Sequence, residues 1–409
     1  MMKTVRRKVF LLLVFIGLVA WMVSPAWGAD KKEIVFGYSA PITGAMSNVG
    51  EKIQRGYTVW AKMVNDKGGI YVKEYGKKLP VRLKRYDDKS DPTTAAKLYE
   101  KLITQDKVDL VLSPYGSSIG FPVSGICQKY KMPIVFVWVS SDPIYKQGFD
   151  HVFCLIEPAS RHGWSPVRLL NDPSVVPDPP TKLFFIAAKE LYNITCAKGG
   201  MALAKKLGFE TYYEEVEKGV KDFTAVITRA KSKGIDGFIA VLYPQDCFLL
   251  FRQMIELDYR PKYFNGTHGP DIPDFWETYG QKAQGVVTVG VYADTWPSYQ
   301  NPEYVERFKK RWGEPPTHYG ATGAGGQIMH QAIEKAGTLD REKIRQALLN
   351  EEFKCILYPK VKWVSEEGYT NINKYAVTAI LQWQDGKIPT VFPTDLAKAK
   401  MIYPFPANW

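Results

Sequence analysis

The sequence predicts an α/β protein made of two doubly wound lobes, each a parallel sheet with helices on both faces. Three observations support this fold class: strand and helix signals alternate along the chain, the strands are almost wholly apolar, and the alternation restarts after about residue 157. Apolar strands are typical of parallel sheets covered on both faces, and repeated strand–helix units join parallel strands by right-handed crossovers. One large sheet is the alternative, but 409 residues favour two lobes.

The first set of units runs from residue 34 to residue 139. Pro92 opens its second helix, a position where the missing N–H of proline costs nothing, and a third helix is predicted to begin near Phe121. The first helix ends at Asp66–Gly69 and is predicted by the helical spacing of Ile53, Tyr57, Trp60, Ala61 and Val64. Short apolar runs predict the strands, in chain order Ile34–Tyr38, Val81–Tyr86, Val108–Leu112 and Ile134–Val139.

The second set begins at residue 183 and has the same alternation. Its predicted strands are Leu183–Ala187, Thr211–Val216, Gly237–Tyr243, Gly285–Val291, Val377–Trp383 and Thr390–Phe392, the last two joined through Asp385-Gly386. Its predicted helices are Ile194–Leu207, Asp222–Lys233, Phe248–Leu257, Phe275–Tyr279, Glu303–Trp312, Ala321–Ala336 and Arg341–Leu349. In such sheets ligands bind at the carboxyl ends of the strands, so two facing lobes predict a ligand cleft between them.

The first residues have the pattern of a secretory signal peptide. An apolar run, Val9–Met22, follows a basic segment, and Ala26-Trp27-Gly28 places small residues before a cut at Ala29. An uncleaved membrane anchor is the alternative, but the run is short for a bilayer core, which takes about 20 apolar residues. No cysteine lies near the cut, so a lipid anchor is not expected. We therefore predict a signal peptide over residues 1–28 and a periplasmic protein.

Charge and cysteine content exclude some functions. Removing the four basic residues of the leader from the net charge of +12 leaves about +8. No run interleaves basic and aromatic residues as a nucleic-acid surface does, so the charge is expected to be a solvated surface. The cysteines are odd in number and lack metal-site spacing, which favours buried free thiols, although periplasmic disulfides are possible: Cys127, Cys154, Cys196, Cys247 and Cys355.

A series of short motifs, each weak alone, follows in a characteristic order and covers essentially the whole mature chain. They are Ala40–Met46, Val64–Ile70, Tyr86–Pro92, Ser117-Ser118, Ser140–Pro143, Asp222–Ile227 and Ala332–Gly337. In this order and spacing the sequence resembles the type I periplasmic substrate-binding proteins of the branched-chain amino acid (leucine/isoleucine/valine) ABC transporter family.

The resemblance implies a particular architecture, the periplasmic binding protein type I fold. Two lobes joined by three hinge crossings close on a ligand, a recognised switching motion, and then dock on the membrane subunits of an ABC permease. We expect residues 29–157 and 287–360 in the first lobe, residues 158–286 and 361–395 in the second, and a C-terminal tail over residues 396–409. A monomer is expected.

Two serine pairs are candidates for the ligand's carboxylate. Ser117-Ser118 follows the third predicted strand, and Ser140-Ser141 follows the fourth. Hydroxyl and N–H groups at helix starts form anion sites that the helix dipole strengthens. Plain helix capping by serine is the alternative for each residue alone, but two such loops at adjacent strand ends favour binding. The resemblance implies that the carboxylate is held here.

Aromatic residues are expected to cover the ligand from the other side. The resemblance places Tyr192, Tyr243 and Tyr319 near it, although each could equally be a core tyrosine. His268 stands where amino-acid-binding members carry a glutamate that neutralises the ligand's ammonium. A neutral imidazole accepts a hydrogen bond but is no full counter-charge, and an unpaired buried ammonium is costly. Either the ligand lacks an ammonium or another acid serves, the candidates being Asp246, Asp271 and Glu190.

These observations predict a binding protein for a small carboxylate-bearing ligand. An amino acid is the default, and an aromatic or other organic acid or amide is the alternative. None of the five histidines lies in a His-Glu-x-x-His setting, and no P-loop or Gly-x-Gly-x-x-Gly fingerprint follows the first strand, so an enzyme is not expected. A periplasmic sensor or receptor partner is a further class, but most such proteins carry a membrane helix. The expected partners are the small molecule and the permease, with no cofactor, metal or nucleic acid.

Overall fold

The computed structural model describes residues 31–406, which form two α/β lobes on either side of a cleft. The predicted signal peptide, residues 1–28, lies outside the described residues, as do the last three residues of the tail. Within the described range, no helix has the length and apolar character needed to span a bilayer.

The first lobe is built on seven strands and a separate hairpin. In chain order the strands are β1 (Ile34–Ala40), β4 (Val81–Asp87), β5 (Leu110–Val111), β6 (Ile134–Phe136), β7 (Val152–Cys154), β13 (Trp363–Glu366) and β14 (Tyr369–Asn373), and the hairpin is formed by β2 (Ile70–Val72) and β3 (Lys77–Leu79). Strand β1 pairs in parallel with β4 and β5, while β6, β7 and β14 form a parallel run to which β13 adds an antiparallel edge. An isolated parallel bridge between Tyr115 and Trp138 links the two groups.

The second lobe contains one seven-stranded sheet. In chain order its strands are β8 (Lys182–Ala188), β9 (Glu210–Val216), β10 (Gly237–Val241), β11 (Tyr263–Gly266), β12 (Val287–Gly290), β15 (Ala379–Gln382) and β16 (Thr390–Phe392). Across the sheet their order is β16-β15-β12-β11-β10-β8-β9; strands β8 to β12 are parallel, and β15 and β16 are antiparallel to their neighbours. The central strands Gly237–Val241 and Tyr263–Gly266 are buried throughout, as expected for a sheet covered on both faces.

Helices cover both sheets. In chain order they are Ser47–Asp66, Pro92–Thr104, Ser117–Lys129, Asp142–Tyr145, Ala159–Leu170, Leu191–Lys206, Thr224–Ser232, Pro244–Glu256, Pro273–Tyr279, Asn301–Trp312, Gly323–Ala336 and Arg341–Asn350. Short 3₁₀ turns occur at Lys73–Tyr75, Gly280–Ala283 and His318–Thr322. Asp91 caps the helix that Pro92 opens, because its carboxylate accepts the Thr94 N–H at 2.7 Å.

The predicted two-lobe α/β fold is confirmed. The chain passes between the sheets three times, after Cys154, after Gly290 and after Asn373. Strand pairing differs from the predicted lobe boundaries at residues 287 and 361. Val287–Gly290 pairs within the second sheet, and Tyr369–Asn373 pairs with Cys154 in the first. An apolar run identifies a strand, but it does not identify the sheet that the strand joins.

Two helices differ from the prediction because each contains a proline. The helix expected to begin near Phe121 begins at Ser117 and contains Pro122, and the helix Ala159–Leu170, which contains Pro166, was not predicted. Proline usually disfavours a helix interior, since it lacks the N–H that the helix needs. All five cysteines are buried and form no disulfide.

Packing between two helices of the first lobe offers a test of the core. Gly326 lies against Trp60, and a Cβ at residue 326 would be 2.3 Å from Trp60 Cδ2. We predict that Gly326→Ala lowers the free energy of unfolding by about 1–3 kcal/mol through overpacking, measured by urea denaturation. Gly125→Ala is the matched control, because nothing lies within 4 Å of the added Cβ. It should be neutral or stabilise by about 0.5–1 kcal/mol; an equal loss in both variants would contradict this packing.

Candidate ligand-binding site

A pocket lies between the lobes, where strand ends from both sheets meet. The first lobe contributes Tyr115, Gly116, Ser117, Trp138, Ser140 and His318, and the second contributes His162, Tyr192, Tyr243, His268 and Asp271. Ile156, Val289 and Val291, which lie next to two of the crossings, line the remainder. The pocket therefore has the position predicted for the ligand cleft.

The wall from the first lobe is organised by Ser117. Ser117 opens the 13-residue helix that ends at Lys129, and it follows Gly116, whose φ of 86° is easily adopted only by glycine. The hydroxyl oxygen of Ser117 accepts the N–H groups of Ser140 and Ser141, both at 3.1 Å. These two bonds hold the loops together and leave the hydroxyl proton of Ser117 available to a ligand.

The four predicted serines do not form one group. Ser117 and Ser140 line the pocket. Ser118 does not line it; its hydroxyl donates to the carboxylate of Glu190 in the second lobe. The hydroxyl of Ser141 is buried, has no hydrogen-bond partner among residues 31–406, and does not line the pocket. Each serine pair thus places one member at the pocket and one behind or beside it.

The wall from the second lobe is aromatic. The rings of Tyr192 and His268 are stacked, with centroids 5.6 Å apart, and the Tyr192 hydroxyl lies 3.1 Å from Nδ1 of His162. Tyr243 completes this wall, and the ammonium of Lys218 lies 4.7 Å from the centre of its ring. Of the predicted aromatic residues, Tyr192, Tyr243 and His268 line the pocket.

Tyr319 lies one layer behind the pocket. It is buried in the first lobe and meets the ring of Tyr115 edge to face, with centroids 5.6 Å apart. The residue that reaches the pocket from this segment is its neighbour His318, which the sequence analysis did not select.

His318 meets Asp271 across the cleft. Nδ1 of His318 lies 2.6 Å from Oδ2 of Asp271, and the Asp271 carboxylate also accepts the N–H of Gly269 at 2.7 Å. The ring of His318 is nearly parallel to that of His268, with centroids 5.5 Å apart, and meets Trp138 edge to face. An acid and two imidazoles are thus gathered at one end of the pocket.

The pKa values of these groups reflect their enclosure. Burial raises the pKa of Asp271, but the charge and hydrogen bond of His318, with smaller contributions from His268 and Gly269, outweigh it and hold that pKa at about 2. Burial lowers the pKa of His268 to about 4 even though Asp271 opposes the change. Burial, reinforced by His268, lowers the pKa of His162 to about 3. His162 and His268 are therefore neutral at physiological pH.

Comparison with known proteins identifies the family. The family model described as periplasmic binding protein matches residues 33–387, most of the chain. The chain belongs to this family. An amino acid binding protein of Pseudomonas aeruginosa is 26% identical to it, over 90% of this chain and 96% of the relative. A Leu/Ile/Val-binding protein homolog of Brucella suis is 24% identical, over 96% of this chain and 98% of the relative.

Solved structures share the fold of this periplasmic binding protein. A leucine binding protein from Thermotoga maritima superimposes with a TM-score of 0.73 at 19% identity, over 87% of this chain and 97% of that one. A solute binding protein of an ABC transporter from Rhodopseudomonas palustris, in complex with 3,4-dihydroxy benzoic acid, gives 0.72 at 19% identity, over 88% and 95%. The prediction of a type I member of the leucine/isoleucine/valine group is confirmed, and the relatives are binding proteins rather than enzymes.

The three acids considered as replacements for the family's glutamate have different places in this periplasmic binding protein. Asp271 lines the pocket. Glu190 accepts from Ser118 and lies 3.6 Å from the Lys218 ammonium. Asp246 accepts the N–H of Gly219 at 3.1 Å and does not reach the pocket. Of the three, only Asp271 could meet a ligand in the pocket.

The lowered histidine pKa values predict acid sensitivity of the periplasmic binding protein. Unfolding restores the ordinary pKa of 6.5 to His162 and His268, so the unfolded chain binds more protons as the pH falls below 6.5. Stability should therefore fall between pH 7.5 and pH 5 by about 2 kcal/mol for each histidine, measured by urea denaturation at both pH values. The double variant His162→Asn/His268→Asn should lose less stability over this range. A loss as large as that of the unchanged protein would show that these histidines are not responsible.

Proposed function

We propose that this chain is a periplasmic solute-binding protein that captures a small organic carboxylate between its lobes and delivers it to an ABC permease. The observation that carries the proposal is a pocket built from both lobes, with Ser117 and Ser140 on the wall from the first lobe and Tyr192, Tyr243 and His268 on the wall from the second. The family supports a transport role, and the exported leader predicted for residues 1–28 supports the compartment.

The carboxylate is assigned to the serine wall. Ser117 stands at the first turn of a 13-residue helix, whose N-terminal dipole favours an anion. The two N–H groups that Ser117 accepts fix the orientation of its oxygen, so its proton can be donated without a large reorganisation. Ser140 lines the pocket beside it and supplies a second hydroxyl. Hydrogen bonds to a charged acceptor contribute about 1.5–3 kcal/mol each.

The rest of the ligand is assigned to the aromatic residues that both lobes place around the pocket, and an aromatic acid fits them best. Tyr115 and Trp138 face the cleft from the first lobe, and Tyr192 and Tyr243 face it from the second. Aromatic rings pack favourably against one another in offset or edge-to-face geometry. Asp271 already accepts hydrogen bonds from His318 and Gly269, which leaves it poorly placed to neutralise an ammonium group. An acid without an ammonium is therefore the first candidate.

A neutral amino acid is the second candidate, and one observation favours it. Asp271 lines the pocket and is an anion at neutral pH, because its pKa is held at about 2. If a ligand ammonium replaced His318 beside Asp271, the charge of both groups would be balanced. The names of the relatives, which include Leu/Ile/Val-binding homologs, agree with this candidate.

Matched pairs of ligands distinguish the two candidates. We predict that 3-phenylpropanoate and benzoate raise the melting temperature and that phenylalanine and leucine do not, because only the amino acids need an acid freed from His318. A ligand held at one hundred times its dissociation constant adds about 2.7 kcal/mol of stability, which differential scanning fluorimetry detects. Stabilisation by the amino acids alone would favour the second candidate. No stabilisation by any acid of either kind would contradict the proposed function.

Adjacent serines provide a matched test of the carboxylate wall. We predict that Ser140→Ala weakens binding of the stabilising acid about tenfold or more, the loss of one hydrogen bond to a charged group, measured by isothermal titration calorimetry. Ser141→Ala is the control, since the Ser141 hydroxyl does not line the pocket and has no partner in the described part of the chain, and the affinity of this variant should be unchanged. Equal affinities in the two variants would remove Ser140 from the binding site.

A further inference from the structure

Three potential metal ligands meet across the cleft. His318 comes from the first lobe, and His268 and Asp271 come from the loop after strand Tyr263–Gly266 of the second. One ring nitrogen of each histidine and one carboxylate oxygen of Asp271 all lie within 4.8 Å of one another. All three residues line the pocket. The two histidines are far apart in sequence, so no motif spacing indicates this cluster.

A buried histidine nitrogen beside the cluster has no hydrogen-bond partner within residues 31–406. This observation independently points to a ligand at this end of the pocket. Nε2 of His162 is buried and has no hydrogen-bond partner among the described residues, and His162 lines the same pocket with an exposed fraction of only 2%. The ring of His268 is stacked on Tyr192, whose hydroxyl lies 3.1 Å from Nδ1 of His162. A buried polar group without a partner costs about 1–3 kcal/mol, so such groups are usually satisfied by something bound.

We propose that His268, His318 and Asp271 bind a divalent transition-metal ion such as Zn²⁺ across the cleft, and that an open position of the ion accepts one carboxylate oxygen of the ligand while Ser117 and Ser140 bind the other. This inference rests on the proposed function, which it deepens by making the ligand an acid that coordinates metal. Two imidazoles and one carboxylate suit zinc, cobalt and related ions and leave coordination positions open. Metal–donor distances of about 2.0–2.2 Å require donor separations larger than the 2.6 Å between His318 Nδ1 and Asp271 Oδ2 and smaller than 4.8 Å, the limit within which all three donors already lie.

The charges balance in such a complex. Asp271 contributes one negative charge and the carboxylate of the ligand contributes another, while neutral imidazoles contribute none. A dication held by these groups is neutralised within the cleft, which avoids the large cost of burying an uncompensated charge. The metal replaces the proton between His318 and Asp271, where the donor and acceptor are now 2.6 Å apart.

The position of the cluster gives the ion a mechanical consequence. Because its donors are divided between the lobes, all of them can bind one ion only when the lobes are together. An ion that binds the closed form better than the open form shifts the population towards the closed form. Metal and carboxylate would thus reinforce each other's binding, and the aromatic wall would select the remainder of the acid.

Cobalt titration of the untagged, EDTA-treated protein tests the proposal. We expect one Co²⁺ per chain, detected by its visible absorption, and displacement of Co²⁺ by Zn²⁺. His268→Gln and His318→Gln should each weaken Co²⁺ binding at least about tenfold. His330→Gln is the matched control, because His330 lies outside the cluster and its Nε2 is 3.2 Å from the carboxylate of Glu334 in the same helix. Its Co²⁺ affinity should equal that of the unchanged protein.

Two results would overturn the metal site: no stoichiometric Co²⁺ binding, or Co²⁺ affinities in the cleft variants equal to that of His330→Gln. Repeating the acid titrations with EDTA separates this proposal from the proposed function. Unchanged acid affinity in EDTA overturns the role of the metal in ligand binding and leaves the proposed function standing. A 1:1 Co²⁺ complex that depends on His268 and His318, with no acid bound in its presence, supports the metal site and overturns the proposed function.

Discussion

The contact between His318 and Asp271 is the constraint on which the pocket depends. It joins the lobes at one end of the cleft, over 2.6 Å, while the hydrogen bond between Ser118 and Glu190 joins them at the helix starts on another side. The pocket lies between these two contacts. Enclosure accounts for the chemistry of the site, because removal of water lowers the pKa of His268 and makes each unpaired polar group expensive.

The fold explains why these residues meet. Strands of a parallel sheet present their carboxyl ends at one edge, and the loops that follow them carry the ligand-contacting side chains. In the first lobe these loops contain Ser117 and Ser140, and in the second they contain Tyr243 and His268. The three crossings set the two edges face to face. Hydroxyl groups therefore lie opposite aromatic rings without any contact between residues close in sequence.

Local signals in the sequence were sufficient to predict most of the fold. Apolar strands alternating with amphipathic helices indicate two lobes, and one serine of each pair after two strands lines the pocket. Prolines inside two helices concealed one of them and the start of the other. The sheet joined by Val287–Gly290 depends on long-range pairing, which an apolar run does not encode.

The residues of the site were only partly predictable, because their positions depend on turn geometry and on contacts between the lobes. Of each serine pair, which member faces the pocket depends on the local turn, so Ser118 and Ser141 could not be separated from Ser117 and Ser140. His318 has no motif around it, and its significance comes entirely from a partner in the other lobe. Asp271 could be named as an acid near His268 in sequence, but its place in the pocket depends on tertiary structure.

A crystal structure with a bound organic acid tests the central claim most directly. The account predicts one acid enclosed between the lobes, its carboxylate within about 2.7–3.2 Å of hydroxyls at Ser117 and Ser140 and its body against Tyr192 and Tyr243. An acid bound outside the cleft, or one in the cleft with its carboxylate turned away from both serines, would contradict it.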